Sequence, residues 1–87
     1  MEYIYRVSEF YNENNGVNQI QEKHFFELDE AEACFEKWVT EKDAIQKSKD
    51  LSLSSPHKLF RHDENYLKGV SWSNGYEIIV LERIEVY

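Results

Sequence analysis

The sequence predicts an α+β fold: an antiparallel sheet of about four strands in a ββα-β-ββ order, with one amphipathic helix packed on one face. Three observations carry that expectation. Runs rich in aromatic and β-branched residues lie near both ends of the chain, a capped helical pattern lies between them, and an Asn-Gly pair splits the second run. With 87 residues there is room for one domain spanning 1–87, because two cores would each be too small to stabilise themselves.

The first run, Tyr3-Ile4-Tyr5-Arg6-Val7-Ser8-Glu9-Phe10-Tyr11, reads as a strand. Asn12-Glu13-Asn14-Asn15-Gly16 follows as a turn in which Asn15-Gly16 supplies positive φ. Val17 to Glu27 resumes extended character and closes a hairpin. Next, Asp29 reads as an N-cap, with Glu32 completing a capping-box variant and Leu28 stapling onto Ala33. Ala31, Cys34, Phe35, Trp38 and Ile45 recur at helical spacing. Acids crowd the first turn and Lys42, Lys47 and Lys49 lie towards or beyond the end, both favourable to the helix dipole. These signals predict a helix over 30–47.

The polar stretch from Lys49 to His57 holds the only proline. Residues 56–69 then read two ways. Ser55-Pro56 can start a second helix ending at Gly69, with Leu59, Phe60, Tyr66 and Leu67 inward. Alternatively, Leu59 to His62 is a short strand and Asp63-Glu64-Asn65 a turn, which suits the hairpin that follows. That hairpin joins Val70–Ser73 to Tyr76–Val86 through Asn74-Gly75. A two-residue loop pairs Ser73 with Tyr76, Trp72 with Glu77 and Val70 with Ile79. Ile78 to Leu81 is apolar on both faces, as an interior strand would be, while the end at Tyr87 offers a candidate sheet edge.

Charge is distributed unevenly. The net charge is −7; residues 1–46 hold eleven acids against four bases, and residues 47–87 hold six of each. A nucleic-acid binder needs the opposite sign to neutralise phosphates, so the field favours a basic protein partner over nucleic acid or an anionic membrane. One cysteine, Cys34, excludes an internal disulfide and fits a reducing compartment. No apolar run approaches the roughly 20 residues of a membrane span. A cytoplasmic location is expected.

Catalytic chemistry has few candidates. His57 and His62 precede Asp63-Glu64, but no cysteine or histidine pair has structural-zinc spacing, so no metal or cofactor is expected. Ser52, Ser54 and Ser55 near His57 fit turns and caps better than a nucleophile beside its base. Cys34 lies on the predicted buried helix face. Gly16, Gly69 and Gly75 are isolated, so there is no phosphate loop. An enzyme is not expected.

The helix acids remain. At 100° per residue, Glu32, Glu36 and Asp43 fall within about 40° of one another, extended at the N-terminal end by Asp29 and Glu27, while Glu30 and Glu41 lie on the opposite flank. A solvated face is the ordinary role of such residues. The one-sided charge raises a second role, an electrostatic docking surface on which tyrosines, Tyr5 and Tyr11 foremost and also Tyr3, Tyr66, Tyr76 and Tyr87, act as anchors.

The pattern Tyr-x-Tyr-x-Val-x-Glu, an Asn-rich turn, and Phe-Phe-Glu-Leu-Asp-Glu-Ala-Glu-Ala-Cys-Phe-Glu-Lys-Trp, over residues 3–45, resembles small acidic proteins of phages and mobile elements. These include anti-CRISPR inhibitors, some of which present carboxylates to nucleic-acid-binding grooves as DNA mimics. The resemblance implies a non-enzymatic inhibitor of a basic, nucleic-acid-handling partner such as a bacterial defence complex, acting in the host cytoplasm. It carries over no functional residue, and the neutral C-terminal half departs from the denser acidity of DNA mimics. An immunity or antitoxin-like protein against a cationic toxin, or an oligomeric structural subunit such as a homodimer, are the alternatives.

Overall fold

The computed structural model describes residues 2–13, 16–48, 57–58, 64–72 and 77–86. Their elements run β1 (Glu2–Glu13), β2 (Gly16–Phe25), α1 (Leu28–Ser48), β3 (His57–Lys58), β4 (Tyr66–Trp72) and β5 (Glu77–Val86). The expected α+β architecture is present. Among the described residues the sheet has five antiparallel strands in the order β2-β1-β5-β4-β3, the fifth being the two-residue β3.

The C-terminal strand is not an edge. β5 lies between β1 and β4, with Val7 opposite Leu81 and Val70 opposite Ile79, because only an interior position buries Ile79, Val80 and Leu81 on both faces. Among the described residues, β2 and β3 flank the sheet. The pairs Trp72–Glu77 and Val70–Ile79 match the register expected from a two-residue loop; the Asn74-Gly75 turn and the Ser73–Tyr76 pair lie outside the described residues.

β4 begins at Tyr66, four residues before the expected Val70, so residues 66–69 are strand and not the end of a second helix. The extra length accommodates an irregularity between Tyr66 and Lys68. Gly69 is closely approached there. A Cβ on it would lie 2.8 Å from the Tyr66 hydroxyl and 3.3 Å from the Ile79 carbonyl oxygen. The suggested strand at Leu59–His62 lies outside the described residues, whereas His57 and Lys58 pair with Ser71 and Val70. Gly16, at φ 140°, supplies the positive φ expected of the first turn.

The helix starts at Leu28, and the Glu27 carbonyl accepts from the Ala31 N–H at 3.2 Å. Glu27, rather than Asp29, therefore holds the cap position, and Asp29 and Glu30 lie inside the first turn, where carboxylates suit the positive end of the dipole. Leu28 and Ala33 are both exposed and form no staple. Ala31, Phe35 and Trp38 pack with Val7, Trp72, Ile79 and Leu81 as the core, flanked by Tyr5, Phe25, Cys34, Val39 and Val70. Ile45 departs from the expected stripe and is 51% exposed. The inward position one turn after Trp38 belongs to Lys42, whose ammonium pairs with Glu9 and Glu77 of the sheet. Among the described residues, no helix is long and apolar enough to cross a membrane.

Candidate functional site

Side chains of the helix and of three strands converge around Lys42. Its Nζ pairs with Glu9 Oε2 from β1 and with Glu77 Oε1 from β5 at 3.2 Å. Gln21 Nε2 from β2 donates to Glu9 Oε1 at 2.7 Å. Glu9 is buried, an expensive place for a carboxylate unless it is paired and hydrogen-bonded. Burial alone would push the Lys42 pKa down; hydrogen bonding and charge from Glu9 and then Glu77 outweigh it and hold the ammonium above its ordinary value.

This cluster forms the floor of a cleft of about 320 Å³. Local backbone geometry builds its rim. Glu9 pairs with Gln21 but Phe10 pairs with Gln19, so Ile20 is an extra residue in β2. The bulge places Ile20 and Gln21 both on the cleft, where regular alternation would send one to each face. Trp38 forms a wall, Ile45 and Ile20 flank the opening, and Glu41 stands exposed at the mouth. None of these residues except Glu41 was a candidate from the sequence. Glu9, Lys42 and Glu77 are too far apart in the chain for local spacing to associate them.

The expected helix acids divide between two flanks. Glu36 reaches across to Lys68 of β4 at 3.3 Å, and that lysine also lies over the Phe35 ring, 5.0 Å from its centroid. Glu32 and Asp43, on the same flank, are half-buried, and one Asp43 carboxylate oxygen is wholly covered. This row is partly consumed by the fold. Glu27, Asp29, Glu30 and Glu41 are exposed and face no basic partner among the described residues. Lys42 does not neutralise them, because its charge is turned inward to Glu9 and Glu77. Lys37 is the one exposed base among helix residues 28–45.

Among the described residues the expected tyrosine anchors differ in exposure. Tyr5 packs against the core, Tyr3 is half-buried with Arg83 over its ring at 4.6 Å, and Tyr66 is half-buried beside Gly69. Tyr11 is 37% exposed, while Tyr76 and Tyr87 lie outside the described residues. Among the described residues the most exposed aromatic is Phe26, at 84%. It occupies the bend between β2 and α1, with Leu28 also exposed beside it. The Phe25-Phe26 pair carried the signal: at a strand end, adjacent side chains point to opposite faces, so only Phe25 can join the core.

Cys34 is half-buried. Burial raises its thiol pKa, with Lys23 and Lys37 opposing and Glu41 reinforcing the rise, so it is poorly suited to act as a thiolate. Among the described residues, no group of three or more His, Cys, Asp or Glu is placed to hold a metal ion. Comparison with known protein families, curated proteins and solved structures gives no match for this chain.

Proposed function

We propose that this chain is a non-enzymatic acidic binding protein that docks on a basic, nucleic-acid-handling partner, such as a bacterial defence complex, and inhibits it. The observation that carries this reading is the corner where β2 meets the helix. Phe26, 84% exposed, is followed by Glu27, Asp29 and Glu30, all exposed and without basic partners among the described residues. An isolated apolar side chain on a surface is ordinary, but an exposed aromatic followed in the chain by exposed carboxylates combines an anchor with a steering field. The carboxylates select a basic surface and accelerate encounter, while Phe26 and Leu28 bury apolar area on contact. Their placement replaces Tyr5 as anchor and shifts the electrostatic centre from Glu32, Glu36 and Asp43 to the first helical turn, continued by Glu41 along the helix.

The test compares immobilised wild-type protein with an E27K/E30K variant against a bacterial lysate. The expected result is retention of a nucleic-acid-binding protein by the wild type, release on adding duplex DNA, and loss of retention by the variant. Retention that is equal for both proteins and indifferent to DNA refutes the reading. Circular dichroism of the variant establishes that its helix persists, since reversing first-turn charges costs only about 0.3–1 kcal/mol each.

A further inference from the structure

Because β5 is interior, the long open edge of the sheet belongs to β2, which no described strand pairs on its outer side. Nine consecutive residues of this strand, Gly16 to His24, are exposed, with Val17 at 65% and Ile20 at 53%. Such an edge offers a row of backbone groups to another strand. The bulge at Ile20 decides which strand fits. Residues opposite one another in an antiparallel ladder share a face. Asn18, Gln21, Lys23 and Phe25 lie opposite Tyr11, Glu9, Val7 and Tyr5, on the helix side of the sheet. Val17, Gln19, Glu22 and His24 lie opposite Asn12, Phe10, Ser8 and Arg6, on the other side. The bulge adds Ile20 to the helix side, next to Gln21. The hydrogen bond from Gln19 Nε2 to Glu22 Oε2, 2.6 Å, records the same inversion, since residues three apart on a regular strand face opposite ways. Counted outward from the Ile20–Gln21 peptide, the two halves of β2 therefore present the same succession of faces. A ten-residue strand without a bulge cannot do this about its middle.

We infer that β2 pairs antiparallel with β2 of a second copy of this chain, about a two-fold axis through the Ile20–Gln21 peptide and normal to the sheet. Ile20 then lies opposite the second copy's Gln21, Gln19 opposite its Glu22, Asn18 opposite its Lys23, Val17 opposite its His24 and Gly16 opposite its Phe25. Every pair shares a face, and no like charges meet. An axis at Glu22 would set two carboxylates against each other, and one at Lys23 two ammoniums. Any axis at a residue to one side of the bulge loses the match of faces beyond it. A bulge and a lysine ordinarily protect an edge from pairing. Here the bulge lies on the axis and opposes its own copy, while Lys23 meets an amide. The two Ile20 side chains lie side by side at the axis. The complementarity is of β2 to itself, as an isologous contact requires, and that selects a second copy over a foreign strand. The pairing also carries the two Phe26 corners to opposite ends of the joined strands, about 35 Å apart.

Sedimentation equilibrium of the isolated chain tests the pairing, and needs no docking partner, so its outcome leaves the Phe26 corner untouched. One strand ladder with little apolar area is at the weak end of interfaces, so a monomer–dimer equilibrium with Kd on the order of 0.1 mM is expected. Asn18 supplies a test of sign. In N18E two new carboxylates face the two Lys23 ammoniums across the axis, and the dimer should tighten about threefold to tenfold. That gain comes although the chain is then more acidic, which by itself would drive copies apart. N18K sets ammonium against ammonium and should weaken the dimer by about the same factor, although the chain is then less acidic. Asn18 is exposed, so both variants should keep the wild-type circular dichroism spectrum. A chain that stays monomeric up to about 1 mM overturns the pairing. So does a dimer that N18E and N18K leave unchanged, change alike, or change in the reverse sense.

Discussion

Replacing Lys42 by methionine keeps the aliphatic stem and removes the charge that Glu9 and Glu77 share. The Glu9 side chain is 8% exposed and that of Glu77 is 20% exposed, so neither carboxylate regains full hydration when its partner is lost. Removing one member of a buried ion pair costs about 3–5 kcal/mol. The retained Gln21 bond to Glu9 and the partial exposure of Glu77 place K42M at the lower end, about 3 kcal/mol. With a urea m-value near the bottom of the usual range, about 1 kcal/mol/M, the unfolding midpoint should fall by about 3 M. In a domain this small the same loss lowers Tm by about 12–24 °C. The E9Q/K42M double variant removes charge from both sides and keeps an amide for Gln21, so it should lie within about 1 kcal/mol of wild type. Equilibrium urea unfolding of the four proteins in the cycle then gives a coupling of at least about 2 kcal/mol. A K42M loss below about 1 kcal/mol, or a double variant no better than the sum of its singles, would refute the claim that this ammonium stabilises buried charge.

The same group sets a pH dependence. The Lys42 pKa is raised in the folded state, so its contribution is complete below its unfolded value near 10.5 and is lost as pH rises through the higher folded value. Wild type should therefore lose stability relative to E9Q/K42M only above about pH 10.5, read as the difference between their urea midpoints; a constant difference up to pH 12 contradicts it. G69A should cost about 1–3 kcal/mol by overpacking, and less in a Y66F background, because the Tyr66 hydroxyl is the nearest atom to the added Cβ. Thermal unfolding of the pair decides, and an equal cost in both backgrounds excludes that clash. F26S should change stability by less than about 0.5 kcal/mol, since Phe26 is almost fully exposed, yet reduce lysate retention severalfold.

Local signals in the chain reach a definite depth. The aromatic and β-branched runs mark β1, β2 and β5, and the pairing of Trp72 with Glu77 and Val70 with Ile79 is the one that an Asn-Gly signal in the sequence predicts without any tertiary information. The periodicity of Ala31, Phe35 and Trp38 finds the buried helix face. Sheet order is another matter. That β5 inserts between β1 and β4 depends on long-range pairing, for which the apolar run at Ile78–Leu81 gives an interior position but no neighbours. The cleft depends on the same pairing, which brings Glu9 and Glu77 beneath Lys42, and on a one-residue bulge at Ile20 that no turn residue announces. Charge counting located the acidic half of the chain. It did not distinguish acids that the fold engages, such as Glu36 with Lys68, from those left facing outward at Glu27, Asp29 and Glu30. Anchor selection by residue type favoured tyrosines, whereas packing buries much of Tyr5 and leaves Phe26 outside.

The outward field of carboxylates at the Phe26 corner is tested most directly by salt. The dissociation constant of the retained partner should be measured across ionic strength for wild type and for E27K/E30K. Wild-type affinity should fall steadily with added salt, and the two curves should converge near 1 M, where the Debye length shrinks to about 3 Å. Wild-type affinity that does not vary with salt, or a variant that follows the wild-type curve at low salt, would contradict it.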